Sequence, residues 1–420
     1  MRILTISNAP WDDRNSMGNT LSNWFSDWPD TEICSMYTRE AKPDNKCCQY
    51  YYQVTIADVV KHFFSRKDIG RSFQREDVLA EETYPSTEGK IVASVKGWQR
   101  NFLQTIVEIV YSSRIWMNRK LKRYIKDFDP DIVFFFAIAD SFRYYLAHYL
   151  KNHNRAKLVM WVADDVWEQT QNMNWLTRTV YRKRYRNLFR YTDKVYGVSQ
   201  MLCDEYSHLF NVPITPLYKG CDLKLCKTDV GHPIHMVYAG NLFYGRDKTL
   251  IALVNAIKEI NKDNSKVHLS IYSATKVLDK IYKQLNIDGL STMCGVRPYE
   301  DIKIIMSEAD IVLHVESFDD EQIKNVRLSF STKIIDCMQS GAAMMVIGPK
   351  GIASVEYPRG IDGVFVVDNL SDLKQTINSI IENPSIVISG AKKLNDYAKR
   401  NHEIINVRDK LQKDFQTVME

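Results

Sequence analysis

The sequence predicts an α/β protein with two domains, each a doubly wound parallel sheet covered by helices. This prediction rests on two series of short apolar segments, most of which are followed by a polar turn and a stretch of helical periodicity. The 420 residues and the hydrophobic fraction of 45% suffice for two domains of ordinary size. The predicted strands are Arg2–Ser7, Asp131–Phe136, Leu158–Val162 and Lys194–Ser199 in the first series, and His235–Leu242, Val267–Tyr272, Asp310–Val315, Ala343–Ile347 and Val364–Val367 in the second.

The predicted domains are 1–222 and 235–399. They are separated by a linker over 223–234, a tract in which Gly and Pro interrupt regular structure. The last segment, 400–420, is predicted to hold a helix.

The first predicted strand leads into a polar loop that contains Gly18, and a helix follows. The first strand-to-helix crossover is where α/β folds hold phosphate groups, although most such loops are only turns. Residues 40–95 lack a clear period and are interpreted as an insertion that contains short helices. One long helix is then predicted from about Val95 to Lys126, because apolar residues recur there at helical spacing.

Carboxylates follow two of the central strands. Asp164 and Asp165 come after the strand that ends at Val162, and Asp140 comes after the strand that ends at Phe136. Ligands of such folds bind at the carboxyl ends of parallel strands. The pair is therefore a candidate functional site, with Asp140 as a further candidate of the same kind. A solvated loop or a helix N-cap is the alternative role.

The second domain places two cations after its first strand. Gly240 and Asn241 form the turn at the end of that strand, and Arg246 and Lys248 stand at the start of the next predicted helix. Cations are unfavourable at a helix N-terminus unless an anion joins them. These residues therefore indicate a phosphate site, with solvated surface charges as the alternative. Arg246 is the first choice, because its fork suits bidentate phosphate contacts.

One further stretch of the second domain combines several features of an anion site. Ser331 and Thr332 are residue types favoured at a helix N-cap, Lys333 follows them, and Gly341 stands where a helix C-cap is expected. Hydroxyls, free backbone N–H groups and an ammonium group at a helix N-terminus bind anions. Asp336 lies one turn further on, on the same face as Thr332. This pairing suits a nucleotide diphosphate with its ribose hydroxyls, and an ordinary capped helix is the alternative.

This stretch resembles the donor-site helix of GT-B fold glycosyltransferases, especially the large retaining family numbered four. There, a carboxylate precedes a small residue, a glycine and a hydrophobic strand, and Asp336 to Gly341 fit this pattern with Asp in place of the usual Glu. The turn Ser331-Thr332-Lys333 also matches one that many members carry. The second Glu of the family would fall at Leu328, where this chain departs from the pattern.

The resemblance implies two Rossmann-like domains that face a cleft, with the C-terminal helix crossing back onto the first domain. It implies that Gly295 and Val296 contact the nucleobase, and that Arg246 and Lys248 hold the donor diphosphate. The proposed catalytic residues are Asp164, Asp165, Arg246 and Lys333, and the proposed donor-binding residues are Gly18, Gly240, Asn241, Lys248, Tyr272, Gly295, Val296, Glu316, Ser331, Thr332 and Asp336.

The activity that the resemblance implies is transfer of a sugar, of hexosyltransferase type, from a nucleotide-diphosphate sugar to a glycan acceptor. The acceptor would be a lipid-linked or cell-surface polysaccharide intermediate, bound by the first domain. Arg246, Lys333 and the helix N-terminus would stabilise the departing diphosphate. Asp164 or Asp165 would orient the acceptor or the transferred sugar, or act as base if the reaction inverts.

No cofactor or metal ion is expected, because the cations and amides would take that role. The eight cysteines and nine histidines are dispersed, without zinc-ligand spacing. Two other functions stay open: a nucleotide-sugar epimerase on the same fold, and a non-catalytic nucleotide or nucleic-acid binder. No nucleic-acid partner is expected, because no aromatic–basic RNA motif is present and a net charge of +5 is modest for this length.

Two basic tracts, 178–190 and 119–123, predict reversible contact with an anionic membrane. The first holds six cations and no acid, interleaved with apolar and aromatic residues. On one helix such a pattern can lie among lipid headgroups, although two ordinary solvated helices are the alternative. No apolar run reaches the roughly 18 residues that span a bilayer, and no signal-peptide pattern is present. The expected location is the cytoplasm, at the inner face of the plasma membrane.

Overall fold

A computed structural model describes residues 1–65, 69–80 and 97–420. The chain divides into two compact units, Met1–Leu217 with Arg408–Glu420, and Tyr218–Val407. Each unit is built on one sheet whose strands are connected largely through helices. The predicted α/β class with two parallel-sheet domains is therefore confirmed.

The first unit contains an eight-stranded sheet in its described residues. The strands are β1 (Arg2–Ile6), β2 (Glu32–Tyr37), β3 (Tyr50–Gln53), β4 (Arg71–Gln74), β5 (Ile132–Phe136), β6 (Lys157–Val162), β7 (Lys194–Gly197) and β8 (Ile214–Pro216). Their order is β4-β3-β2-β1-β5-β6-β7-β8, and all neighbours are parallel except β3 and β4. The helices are α1 (Ser16–Phe25), α2 (Ile56–Ser65), α3 (Arg75–Ala80), α4 (Gly97–Ser112), α5 (Arg119–Phe128), α6 (Ser141–His153), α7 (Trp175–Tyr191) and α8 (Gln200–Phe210), with a 3₁₀ turn at Glu168–Asn172.

Aromatic packing forms much of the core of the first unit. Every residue of β5 is buried, as expected of a continuous apolar strand at the centre of a parallel sheet. The rings of Trp24 and Trp161 lie 4.9 Å apart in an edge-on arrangement. Phe415, from the last helix of the chain, packs on Phe25 and Phe134 at 6.0 and 6.3 Å. The C-terminal residues are thus part of this core.

The second unit contains a six-stranded, fully parallel sheet. The strands are β9 (Ile234–Ala239), β10 (Val267–Tyr272), β11 (Ser291–Gly295), β12 (Ile311–Val315), β13 (Ala343–Ile347) and β14 (Phe365–Val367), in the order β11-β10-β9-β12-β13-β14. The helices are α9 (Arg246–Ile260), α10 (Asp279–Leu285), α11 (Tyr299–Glu308), α12 (Asp320–Val326), α13 (Lys333–Gln339), α14 (Ala353–Arg359), α15 (Leu373–Glu382), α16 (Ser385–His402) and α17 (Ile404–Met419), with a 3₁₀ turn at Leu370–Asp372. The helix α17 begins in this unit and ends in the first.

The winding of the second sheet reverses between β9 and β12. From β9 the chain proceeds outward to β10 and β11 on one side, and from β12 it proceeds to β13 and β14 on the other. Loops at the carboxyl ends of the two central strands diverge at such a point and leave a crevice that binds ligands. The residues that follow β9 and β12 are Gly240 and Glu316, both among the predicted donor-binding residues.

The long helix predicted from Val95 to Lys126 is wrong. The described part of this segment forms the separate helices α4 and α5, and the first predicted residues lie outside the described part. Arg114 adopts a left-handed conformation with φ of 58°, and Asn118 caps α5 by accepting from the Leu121 N–H. Trp116, fully buried between the helices, fills the break. Apolar periodicity continued across the break because this residue belongs to the core.

The insertion predicted over 40–95 contains strands as well as helices. Tyr50–Gln53 forms β3, which pairs in parallel with β2, and Arg71–Gln74 forms β4 at the sheet edge. The predicted short helices are present as α2 and α3. The part of this prediction that covers 66–68 and 81–95 lies outside the described residues.

Candidate functional site

Arg246, the first residue of α9, is buried against Glu316. Its Nη2 atom lies 3.0 and 2.9 Å from the two carboxylate oxygens. Its Nε donates to the Val315 carbonyl at 3.1 Å, and its Nη1 donates to the Asn241 side-chain oxygen at 2.8 Å. Only 13% of the Arg246 side chain and 2% of the Glu316 side chain are exposed. The guanidinium is therefore not the solvated surface charge that the sequence left open as an alternative.

Two neighbours stabilise the negative charge of Glu316. Burial by itself raises the pKa of this carboxyl group, but His314 and the Arg246 guanidinium outweigh burial, so the pKa lies below its usual value. The His314 Nε2 atom lies 3.2 Å from Oε1. Since Arg246 contacts both carboxylate oxygens, Glu316 fixes the position of the guanidinium.

Lys333, the first residue of α13, packs over Gly240. A Cβ atom added to Gly240 would lie 2.9 Å from the Lys333 Cε atom and 2.8 Å from the Tyr238 hydroxyl, so only glycine leaves room here. Burial, and then the charge of Arg246, lower the pKa of Lys333. Among the described residues, no hydrogen bond or ion pair engages its ammonium group.

We call Gly240, Asn241, Arg246, Glu316 and Lys333 the Arg246 cluster. It contains two cations and one carboxylate, so one positive charge is not balanced within it. It lies at the carboxyl ends of β9 and β12, where the winding reverses. An anion placed here would be stabilised by charge-assisted hydrogen bonds from both cations.

The start of α13 differs from the sequence prediction. Thr332 has helical backbone angles and its side chain makes no capping bond, while the Ser331 N–H donates to the Ser354 hydroxyl at 3.0 Å. The helix spans only seven residues, Lys333–Gln339. Two N–H groups of the helix start, those of Ile334 and Ile335, donate to the Ser331 and Thr332 carbonyls at 3.0 and 3.1 Å and are not free for an anion. The donor-binding roles of the Ser331 and Thr332 side chains stay predictions.

Other predicted donor-binding residues lie at the ends of β10 and β11 and at the start of α9. Tyr272 ends β10, and its carbonyl accepts the Gly240 N–H at 2.9 Å. Gly295 ends β11 with a φ of 69°, and Val296 after it is 68% exposed. The Lys248 side chain is 71% exposed and lies 3.4 Å from a carboxylate of the same unit. Lys248 thus has the surroundings of a surface charge, whereas Tyr272 contacts the cluster directly.

Asp336 lies one turn beyond Lys333 on α13 and is held by two side chains. The Tyr299 hydroxyl donates to its Oδ1 atom at 2.9 Å, and the Lys219 Nζ atom lies 3.6 Å from the same oxygen. The Asp336 side chain is 18% exposed and that of Lys219 is 7% exposed. A partly accessible carboxylate therefore lies one helical turn from Lys333, and its predicted contact with a ribose stays a prediction.

Asp164 and Asp165, in the first unit, have different surroundings. Asp165 is buried and accepts hydrogen bonds from the Tyr206 hydroxyl at 2.8 Å and the Glu168 N–H at 3.1 Å. These bonds match the capping role that the sequence left as an alternative. Asp164 is exposed just beyond the carboxyl end of β6. Of the two carboxylates, Asp164 is the one that a substrate can reach.

Asp140 and Gly18 have structural roles in the first unit. Asp140 caps α6 by accepting from the Arg143 N–H at 3.1 Å, and it pairs with the Arg143 guanidinium at 2.5 Å. The Gly18 N–H donates to the Asn15 side chain at 2.8 Å. A side chain at Gly18 would collide with the Asp12 carbonyl, which explains the glycine by packing. The Gly18 N–H is thus already engaged within the protein.

The basic tract 178–190 lies on α7, and one of its cations is buried. The Arg184 Nη1 atom lies 3.1 Å from a Glu108 carboxylate oxygen and donates to the Ala139 carbonyl at 3.0 Å. Its side chain is 9% exposed. Arg184 is therefore not available to a membrane surface, and the predicted membrane contact of this tract would depend on its other cations.

Three residues near the site were not singled out from the sequence: Lys219, Tyr299 and His314. His314 stands two positions before Glu316 on a strand, and this spacing places both side chains on one face of the sheet. Tyr299 and Lys219 reach Asp336 only through the fold, so no local pattern indicates them.

No protein-family model matches the chain. No curated protein sequence matches it. Anabaena HepE, solved in complex with UDP, is similar in structure, with 12% identity and a TM-score of 0.65 over 99% of this chain and 100% of that chain. Sucrose-phosphate synthase from Thermosynechococcus elongatus has 10% identity and a TM-score of 0.64 over 99% and 98%. An α,α-trehalose-phosphate synthase (UDP-forming) from Burkholderia xenovorans has 7% identity and a TM-score of 0.56 over 99% and 100%. The chain has the GT-B fold.

The GT-B fold that the donor-helix motif predicted is thus confirmed over nearly the whole chain. At these identities the likeness concerns the fold, and the roles of individual residues rest on the geometry of this chain. Within the described residues, no three His, Cys, Asp or Glu side chains form a group that could hold a metal ion. The described helices include none with the length and apolar character needed to span a membrane.

Proposed function

We propose that the chain is a glycosyltransferase that moves a sugar from a nucleotide-diphosphate sugar to an acceptor hydroxyl. The observation that carries this proposal is Lys333 in the Arg246 cluster, a largely buried cation with no ion-pair partner among the described residues. A diphosphate would supply the missing negative charge. The cluster also stands at the switch point of a parallel sheet, where nucleotides bind in folds of this kind.

The structural neighbours support a nucleoside diphosphate as the ligand. Anabaena HepE was solved in complex with UDP and glucose, and the Burkholderia xenovorans protein is described as a UDP-forming synthase in complex with glucose-6-phosphate. UDP and its sugars are therefore the first ligands to test on this chain.

In the proposed reaction, the bond between the anomeric carbon of the sugar and the diphosphate oxygen breaks. The electron pair of that bond moves to the oxygen, where Lys333 and Arg246 stabilise the developing charge. One donor placed in this way typically contributes about 10²–10³ in kcat. The acceptor hydroxyl bonds to the anomeric carbon and loses its proton, and Asp164 is our candidate for orienting that hydroxyl or accepting the proton. Asp336 would bind the ribose hydroxyls.

We propose that the acceptor is a lipid-linked or cell-surface polysaccharide intermediate, reached at the cytoplasmic face of the plasma membrane. Support comes from α7, where Trp175, Leu176 and Val180 are 71%, 58% and 46% exposed. Lys183 and Arg186 on the following turns are exposed as well. Exposed apolar side chains next to cations suit the surface of an anionic membrane.

The experiment is a thermal-shift and calorimetric screen with UDP and a panel of nucleotide sugars. A donor that binds the native state raises its melting temperature. We expect at least one such ligand to bind the wild type and Lys258→Met, a control that removes an exposed lysine of α9. Lys333→Met should lose this binding. Analysis of the products with added acceptor then separates glycosyl transfer from an epimerase, which rearranges the donor without an acceptor. A wild type that binds no nucleoside diphosphate would overturn the proposal.

A further inference from the structure

Asp336 is contacted by two donors from distant parts of the second unit. The Tyr299 hydroxyl, at the start of α11, donates to Oδ1 at 2.9 Å, and the Lys219 ammonium group lies 3.6 Å from that atom. Both groups therefore approach one carboxylate oxygen. A carboxylate accepts hydrogen bonds on both oxygens, so Oδ2 remains the atom suited to a further donor.

The backbone that carries Lys219 is fixed by its neighbours. Cys221 forms an isolated parallel bridge with Glu403, and its carbonyl accepts the Ile404 N–H at 3.0 Å. A side chain at Gly220 would lie 2.5 Å from the Ile404 Cα atom, so this strand-like pairing requires the close approach that glycine allows. The Lys219 side chain is only 7% exposed. A buried ammonium group is unfavourable unless it is paired, and Asp336 supplies the nearby charge.

Tyr299 is 39% exposed and is held by a neighbouring cation as well as by Asp336. The Lys303 ammonium group lies 4.6 Å from the centre of its ring, in a cation–π contact. Burial, and then the charge of Asp336, raise the pKa of the Tyr299 hydroxyl. The phenol therefore stays protonated and donates to the carboxylate.

We infer that Lys219 and Tyr299 are positioning residues that hold Asp336 Oδ1 and direct Oδ2 to the ribose hydroxyls of the donor, so that the site prefers ribonucleotides to deoxyribonucleotides. This inference rests on the proposed function. The spacing on α13 agrees with it, because Lys333 and Asp336 stand about one helical turn, roughly 5 Å, apart along the axis. Lys333 would then bind the diphosphate, and Asp336 would bind the ribose of the same nucleotide.

The test compares the binding of UDP and 2′-deoxy-UDP by calorimetry, with GDP and ADP and their 2′-deoxy forms as the alternative probes. The wild type should prefer the ribonucleotide by about tenfold to a hundredfold, the range expected for a hydrogen bond to a charged group. Lys219→Met and Tyr299→Phe should each reduce this preference, mainly by weakening the ribonucleotide. Lys219→Arg, which keeps the charge, should retain most of it.

A double-mutant cycle separates positioning from a merely structural role. In the background of Asp336→Asn, which removes the carboxylate charge, Lys219→Met should change the preference no further. If Lys219 only stabilised the fold, its replacement would lower the melting temperature and weaken the binding of both nucleotides equally. This result would overturn the inference. So would a wild type that binds UDP without discriminating against 2′-deoxy-UDP. A wild type that binds none of the nucleoside diphosphates would overturn the proposed function itself.

Discussion

Arg246 and Glu316 form a buried, two-pronged ion pair at the carboxyl edge of the second sheet, with one guanidinium nitrogen 3.0 and 2.9 Å from the two carboxylate oxygens. The pair fixes the guanidinium beside Gly240 and Lys333. A planar fork that is already oriented loses little freedom when it meets a phosphate. Glu316 thus orients Arg246, and the direct contact with the donor that the sequence predicts for Glu316 stays a prediction.

Removing one member of this pair should destabilise the second unit. Glu316→Ala leaves the Arg246 charge buried and unpaired, and we expect a loss of about 3–5 kcal/mol in the free energy of unfolding, measured in urea. The double variant Arg246→Met/Glu316→Leu should lose less than the sum of the two single changes, because it leaves no unpaired charge. An unfolding midpoint of Glu316→Ala equal to that of the wild type would contradict the prediction.

The pair also predicts how stability depends on pH. The pKa of Glu316 is lowered in the folded state, so the carboxylate contributes stability that is fully present above the unfolded pKa near 4.5. This contribution is lost as the pH falls through the lowered, folded value. The acid unfolding curve of Glu316→Gln, which has no charge to protonate, should therefore be flatter below that pH.

Lys333 should take up a proton when a diphosphate binds at alkaline pH. Its pKa is lowered in the free protein, because burial and the Arg246 charge disfavour the ammonium form. A bound anion favours that form and raises the pKa again, so affinity should fall as the pH rises. At alkaline pH the diphosphate is already fully ionised, so the proton goes to the protein.

The proton uptake is measured by calorimetry of UDP binding at one alkaline pH, in two buffers with different ionisation enthalpies. The binding enthalpy observed in one buffer should differ from that observed in the other, both for the wild type and for the control Lys258→Met. Equal enthalpies in the two buffers for the wild type would show that no lysine titrates on binding.

The strands of the second domain could be predicted because buried parallel strands are continuous apolar runs. The runs at Asp310–Val315 and Ala343–Ile347 are of this kind. The end of α13 was predictable too, since Gly341 has the positive φ of 79° that favours glycine after a helix. The pairing of Arg246 with Glu316 was not, because it joins residues 70 positions apart. Local periodicity contains no information on such a contact.

Charged residues in the first domain show the same limit. Arg184 looks in the sequence like the other cations of its tract, yet it is buried because Glu108 supplies a partner from α4. Asp165 likewise resembles Asp164 until Tyr206 is seen to bind it. A sequence gives the type of a charged side chain, whereas its role depends on the partners that the fold supplies.

Gly240→Ala should weaken donor binding and also lower stability, because the added methyl group would meet the hydroxyl of the buried Tyr238 side chain at 2.8 Å. The added methyl group would lie 2.9 Å from the Lys333 Cε atom, and the end of a flexible side chain moves away more readily than backbone. The displaced ammonium group would then miss the diphosphate. We expect UDP affinity to fall by about tenfold, corresponding to the loss of roughly one hydrogen bond to a charged group.

The control for this change is Gly360→Ala in the same unit. Gly360 has an ordinary φ of −74°, and a Cβ there would lie 3.5 Å from the Tyr357 carbonyl, a normal contact. Binding of UDP to this variant should match that of the wild type, as measured by calorimetry. If Gly240→Ala bound UDP as tightly as this control, the close packing of Lys333 over Gly240 would have no part in the site.

The last prediction concerns the exposed face of α7. Leu176, Val180 and Lys183 follow one another at intervals of four and three residues, so they form one stripe on the helix surface. Each cation near an anionic surface contributes about 1 kcal/mol, and the exposed apolar side chains add the burial of their surface among the headgroups. We expect the protein to co-sediment with anionic vesicles but not with neutral ones, and less so as salt is raised.

The double variant Leu176→Ser/Lys183→Gln should lose this binding while UDP affinity is kept, since both residues lie in the first unit. Arg184→Gln serves as a contrast, because the Glu108 ion pair keeps that residue away from the surface: it should lower stability rather than remove vesicle binding selectively. Equal partitioning of the wild type onto neutral and anionic vesicles, or none onto either, would rule the membrane role out.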